Sequence, residues 1–203
     1  MSRKPLALAA AVLLGLFLLD AALVLSGRTT AVDNAALLWL RDPLDASHLR
    51  VPGWTLSVAV AITTLGTWYV RLPVAAIGAL LLARAGRSRE ALLFAASVAL
   101  AALALPLLKD IVARTRPDVA YQLITAAHPS FPSGHALGAT VAYPLLGQLS
   151  GRRALLCAGI ALALAIGLSR VFLGVHWLSD VAGGWLLGAA WVLATLALVP
   201  VRR

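Results

Sequence analysis

Charged residues are scarce in this chain: Asp, Glu, Lys and Arg make up 12% of 203 residues, against 61% hydrophobic, with a mean hydropathy of +0.91. That composition excludes an ordinary soluble globular domain. Acidic residues are scarcer still, eight against seventeen Lys and Arg, which leaves a formal charge of +9. No pair of carboxylates is placed to hold Mg²⁺. A single cysteine, Cys157, rules out an internal disulfide, and its apolar neighbours mark it as a small buried side chain. Internal repeats and low-complexity linkers are absent, so residues 1–203 read as one transmembrane domain.

What remains is a series of apolar runs separated by short basic turns. The length accommodates roughly six spans of about 20 residues each. The expected architecture is all-α, a polytopic membrane bundle of six transmembrane helices with short interfacial helices. The spans fall near 6–25, 72–83, 91–108, 135–149, 154–168 and 181–199. The first is read as a retained span, not a cleaved signal, because it is long and no small-x-small site follows it. Asp20 inside it should face the bundle. Residues 28–52 mix Asp33, Arg41, Asp42, Asp45 and Arg50 with Leu37, Leu38 and Trp39, as short amphipathic helices at the interface do. His48 in this stretch reads as a solvated histidine, and the six tryptophans as interface belts and packing. Between Trp54 and Ala83 an interfacial helix precedes the second span. Gly184 and Gly188 on the last span have the spacing of a close helix contact.

The positions of the cations predict a topology. With the amino terminus inside, Arg3, Lys4, Arg84, Arg87, Arg89, Arg152, Arg153, Arg202 and Arg203 share the inner side, as the positive-inside rule requires. The excess of cations is then explained by topology and anionic headgroups, with no nucleic-acid partner. The outer side receives three polar segments: the loop around Arg41, the loop 109–134, and 170–180, so that all three chemical motifs share one face.

Those segments carry the chemistry. Lys109, Arg116 and Arg170 can surround one phosphoryl group, with guanidinium forks for paired oxygens and a compact ammonium. Arg114 lies outside this trio and reads as a headgroup contact. In Pro132-Ser133-Gly134-His135 the backbone N–H groups of Ser133, Gly134 and His135 open a helix, whose positive end suits an anion. A serine-capped helix start with a surface histidine explains that tetrapeptide equally well. His176 and Asp180 are four residues apart, on one helical face and about 6 Å apart along the axis. The carboxylate can fix the imidazole tautomer, freeing Nε2 as a nucleophile. Two histidines and an aspartate also suit zinc, but the surrounding cations would repel a divalent metal, so the expected site uses no metal or cofactor.

Lys109-x6-Arg116-Pro117, then Pro132-Ser133-Gly134-His135, then Ser169-Arg170-x5-His176-x3-Asp180, resembles in every fixed position and in order the signature of the type 2 phosphatidic acid phosphatase superfamily. The resemblance implies a phosphohistidine mechanism. His176 attacks phosphorus, Asp180 orients it, and His135 protonates the leaving oxygen and then activates water. Lys109, Arg116, Ser133, Gly134 and Arg170 hold the phosphate. It also implies a lipid phosphate or diphosphate substrate, such as phosphatidate, phosphatidylglycerophosphate or undecaprenyl diphosphate, met at the extracytoplasmic face of a bacterial plasma membrane. Two other functions use such a pocket: a non-hydrolytic lipid-phosphate binder or flippase, and a vanadate-dependent haloperoxidase, although the latter enzymes are soluble and larger.

Overall fold

The computed structural model describes residues 3–42, 44–45 and 48–199 of the chain, so Arg202 and Arg203 lie outside the described residues. Among the described residues eight α-helices carry the fold: α1 (Arg3–Leu25), α2 (Thr30–Trp39), α3 (Trp54–Thr64), α4 (Trp68–Arg84), α5 (Ser88–Val112), α6 (Gly134–Ser150), α7 (Arg153–Phe172) and α8 (Leu178–Leu198). A 3₁₀ turn, Val119–Tyr121, interrupts the long loop between α5 and α6. The molecule is an all-helical membrane bundle.

Helix α6 lies at its centre. It packs on α4, α5, α7 and α8 and is buried along most of its length. Its contact with α8 depends on missing side chains. A Cβ at Gly184 would stand 2.7 Å from the Ser133 carbonyl, and one at Gly188 would stand 2.7 Å from Thr140 Cβ. Gly147 and Gly159 serve the α6–α7 contact in the same way, each lying against the other helix's backbone. Small residues let backbones approach where hydrocarbon solvent supplies no hydrophobic drive between helices. Beside this face, Phe17 of α1 stacks on Phe131 at 5.8 Å between ring centroids, tying the first helix to the loop before α6.

Among the described residues four helices, α1, α5, α7 and α8, are long and apolar enough to cross a membrane; α3 and α4 make a fifth if counted as one span bent by 46°. The expected count of six is therefore not reached on length and apolarity, because α6 has 17 residues and lies inside the bundle. The second span follows expectation in part: a separate helix, α3, precedes α4, the run breaks around Gly66, and α4 begins at Trp68 rather than near Leu72. Gly66 leaves room there for Ile166 and the His135 ring.

The stretch after α1 forms the expected short helix, α2, but buries charges that the reading left at the interface. Asp33 and Arg41 are almost fully buried, and α2 rests on the start of α8. Arg41 donates to the Phe172 carbonyl at 3.2 Å and to the Tyr121 carbonyl at 2.7 Å. Those bonds hold the 109–134 loop over the α7–α8 turn. His48 is exposed, with Nδ1 2.9 Å from the Asp45 carboxylate. Cys157 is also exposed, on α7, where the sequence suggested burial.

Candidate active site

The carboxyl ends of α5 and α7, the amino ends of α6 and α8, and the loops between them meet at one end of the bundle. All three motif segments converge there. His176 lies in the turn between α7 and α8, buried at 2% exposure. Its Nδ1 is 3.3 Å from Asp180 Oδ2 and 3.2 Å from Ser130 Oγ. The Ser130 hydroxyl donates to the same carboxylate oxygen. Trp177 N–H donates to that oxygen as well, at 2.8 Å. Asp180 is an acceptor throughout, so the proton between it and the imidazole sits on Nδ1 and the Nε2 lone pair faces outward.

What Nε2 faces is Arg116. Its NH1 is 3.1 Å away and also donates to the Val175 carbonyl. Its remaining nitrogens bond the His128 carbonyl at 2.9 Å and the Ala127 carbonyl at 2.9 Å. An incoming phosphoryl oxygen can take over the guanidinium hydrogen that now caps Nε2. Burial dominates His176, pushing its pKa down to about 3 against the opposing pull of Asp180. The imidazole is therefore neutral, as a nucleophile must be. Burial lowers the Arg116 pKa too.

The other expected ligands cluster at the same end. Lys109 closes α5, and its ammonium donates to the carbonyls of Pro129 and, at 3.3 Å, Ser130. Arg170 closes α7, donates to Thr63 Oγ1 at 2.9 Å, and keeps Nε without a protein partner. Ser133 Oγ and His135 Nε2 are likewise buried without partners. His135, in the first turn of α6, lies within coulombic reach of Arg170, His176 and Arg116. Gly134 lies against Leu105, where a Cβ would stand 2.6 Å from its Cδ2, so it serves helix packing. One expectation fails here. The Ser133 N–H is not free for an anion, because it donates to the Asp180 carbonyl at 2.9 Å, joining the start of α6 to that of α8.

A second correction concerns Arg114, which the sequence reading set aside as a headgroup contact. It is central: NH1 donates to Asp180 Oδ1 and Ser179 Oγ at 2.7 Å each, and NH2 to Asp33 Oδ2 at 2.6 Å and Thr29 Oγ1 at 3.2 Å. Asp33 in turn accepts from Ser179 N–H at 2.9 Å and from its hydroxyl at 2.7 Å. Asp180 is thus held on one oxygen by Arg114 and on the other by Ser130, Trp177 N–H and His176. Ser130, Arg114 and Asp33 were missed as functional residues. The signal in sequence for Asp33 was its i, i+4 spacing to the buried Leu37 on a helix facing the bundle.

A nucleophilic histidine held by a buried aspartate, ringed by cations at the end of a membrane bundle, fits the comparisons with known proteins. The PAP2 superfamily model matches residues 90–203. This chain belongs to the PAP2 superfamily. It is 32% identical over 168 residues to phosphatidylglycerophosphatase B of Bacillus subtilis, covering 78% of this chain and 76% of that one. It is 40% identical over 121 residues to decaprenylphosphoryl-5-phosphoribose phosphatase of Mycobacterium tuberculosis, covering 58% of this chain and 65% of that one. The crystal structure of a transmembrane PAP2-type phosphatidylglycerolphosphate phosphatase from Bacillus subtilis superposes with a TM-score of 0.80 at 28% identity, over 93% of this chain and 94% of that one. LpxE of Aquifex aeolicus shares the fold, with a TM-score of 0.64 at 19% identity over 81% of this chain and 94% of that one. As a PAP2 member the chain is an integral membrane enzyme of the lipid phosphatase type.

Proposed function

We propose that this PAP2 protein hydrolyses a lipid phosphate or diphosphate at the extracytoplasmic face of a bacterial plasma membrane, through a phosphohistidine intermediate and without a metal. The observation that carries this reading is the His176 arrangement: neutral, with Nδ1 3.3 Å from Asp180 and Nε2 3.1 Å from Arg116. In the first step Nε2 forms a bond to phosphorus while the bond from phosphorus to the lipid oxygen breaks. The electron pair goes to that oxygen, which takes a proton from His135. The imidazole becomes cationic, and the Asp180 carboxylate stabilises it. Lys109, Arg116 and Arg170 neutralise the added charge on the equatorial oxygens, and the Ser133 hydroxyl donates to one of them. In the second step His135 takes a proton from water, the water oxygen bonds to phosphorus, and the phosphorus–nitrogen bond returns its pair to Nε2.

Detergent-purified protein should release inorganic phosphate from at least one of phosphatidate, phosphatidylglycerophosphate and undecaprenyl diphosphate in the presence of a chelator. Acid-labile ³²P should be trapped on wild-type protein and not on His176→Ala, whose turnover should fall by at least about 10³-fold. Lys109→Ala and Arg116→Ala should each weaken binding and rate. Folded protein with no turnover on any of the three lipids would defeat the enzymatic reading, and a tight lipid complex in that case would identify a binder or flippase.

A further inference from the structure

None of these steps uses Arg71. It lies in the first turn of α4, inside the bent span, and is 7% exposed. Its terminal nitrogen donates to the Gly66 carbonyl at 2.9 Å, and its Nε has no protein partner. A cation at this depth is costly unless it serves a site or a polar pathway. The unmatched Nε of Arg71 joins those of Arg170, Ser133 Oγ and His135 Nε2 as donor and acceptor positions that the protein itself leaves unfilled.

The position of Arg71 relative to His135 gives it meaning. Gly138 follows His135 by three residues on α6 and so lies on the same face, one turn further into the bundle. The Arg71 guanidinium packs flat against Gly138, where any Cβ would overlap it. Gly66, whose carbonyl Arg71 holds, also borders the His135 ring, since a Cβ there would stand 2.9 Å from His135 Cδ2. Along α6, His135 stands one turn nearer the site end than Gly138 and the Arg71 guanidinium packed on it. His135 protonates the leaving oxygen, so whatever lies beyond it belongs to the leaving group.

We infer that Arg71 is a specificity-determining residue that binds a second phosphoryl group on the leaving side. The substrate class is then a lipid whose leaving group is itself phosphorylated, a diphosphate or a phosphate carried on a phosphodiester headgroup, in preference to a lone monophosphate. This rests on the phosphatase reading and on His135 as its acid. In a diphosphate the bond from the terminal phosphorus to the bridging oxygen breaks as His176 Nε2 attacks. The electron pair stays on the bridging oxygen with the proton from His135, and the lipid monophosphate departs. A planar guanidinium matches two oxygens of that departing phosphate and stabilises the charge it gains.

The test compares kcat/KM of wild type, Arg71→Gln and Arg71→Lys for undecaprenyl diphosphate and phosphatidate. Wild type should favour the diphosphate. Arg71→Gln should cut the diphosphate-to-monophosphate ratio at least tenfold, and Arg71→Lys should restore part of it. Gly138→Ala keeps the charge but displaces the guanidinium, and should lower the same ratio. Equal loss on both substrates, as a purely structural role would give, or no change in the ratio, overturns the assignment. Wild-type inactivity on every lipid would defeat the phosphatase reading, and Arg71 would then be decided by binding alone. Inorganic pyrophosphate should raise the melting temperature of wild type more than inorganic phosphate does, and Arg71→Gln should abolish that difference. Its persistence in the variant would overturn the inference.

Discussion

Two oxygens of one carboxylate organise the chemistry. Asp180 Oδ2 receives Ser130, the Trp177 N–H and the His176 side, while Oδ1 receives Arg114. This fixes His176 as the Nδ1–H tautomer, and burial keeps it neutral down to about pH 3, where a free histidine would protonate near 6.5. The unfolded chain therefore binds a proton that the folded protein refuses, and this group costs stability as pH falls through the window from 6.5 to 3. At pH 6 the ¹⁵N spectrum of labelled protein should show His176 neutral with its proton on Nδ1; an imidazolium signal at that pH would refute the assignment. Arg114→Leu leaves two buried carboxylates, Asp33 and Asp180, without their shared cation, a loss of about 3–5 kcal/mol for a buried pair. The variant should melt well below wild type, whereas Arg114→Lys should recover part of the loss; a variant as stable as wild type would show that the network carries no such weight. The candidate site was legible to this extent: the spacing of His176, Asp180 and the three cations marks them as candidates, and the fold brings them to one end of the bundle. Arg114 and Asp33 did not, because a charged side chain in a polar stretch looks the same in sequence whether it meets solvent or a partner 81 residues away.

At the scale of elements, the motifs work because α6 and α8 begin side by side. The Ser133 N–H bonds the Asp180 carbonyl at 2.9 Å, and Gly184 lets the two first turns touch. A side chain at 184 must push against the Ser133 carbonyl, which is backbone and cannot rotate away. Gly184→Leu should separate the two helix starts. The expected cost is about 1–3 kcal/mol of overpacking, with turnover lost out of proportion to stability, since His135 and His176 sit on opposite sides of that contact. Wild-type kcat in a folded Gly184→Leu protein would refute the coupling. The sequence spacing of Gly184 and Gly188 forecast this face correctly. The sequence also placed a break in the run from Trp54 to Ala83, but not its angle, because Gly66-Thr67-Trp68-Tyr69 fits an interfacial helix followed by a span as well as one bent span. What decides is the His135 ring lodged against Gly66, a contact 69 residues away in the chain that no local pattern encodes.

Among the described residues most cations fall into two populations, with Arg28 and Arg50 exposed near the site end and Arg87 half-buried at the other. At the site end Arg41, Arg71, Lys109, Arg114, Arg116 and Arg170 turn inward and are held by carbonyls, hydroxyls or carboxylates. At the opposite end Arg3, Lys4, Arg84, Arg89, Arg152 and Arg153 are exposed. Only freely solvated cations beside the spans act as topology signals and meet anionic headgroups, so the exposed group should face the cytoplasm. The inward group takes no part in that count. Trp39, Trp54 and Trp68 are exposed around the site end, as an aromatic belt at a membrane interface requires. On the proposed reading the site faces the extracytoplasmic side, where a lipid headgroup would reach His176 while its tail stays in hydrocarbon. In a Cys157→Ala background, an impermeant maleimide added to intact cells should label Val119→Cys, whose side chain is exposed at the site end. It should not label Arg153→Cys until the membrane is opened. Labelling of Arg153→Cys alone would place the site on the cytoplasmic face and reverse the topology, since the two positions lie at opposite ends of one bundle.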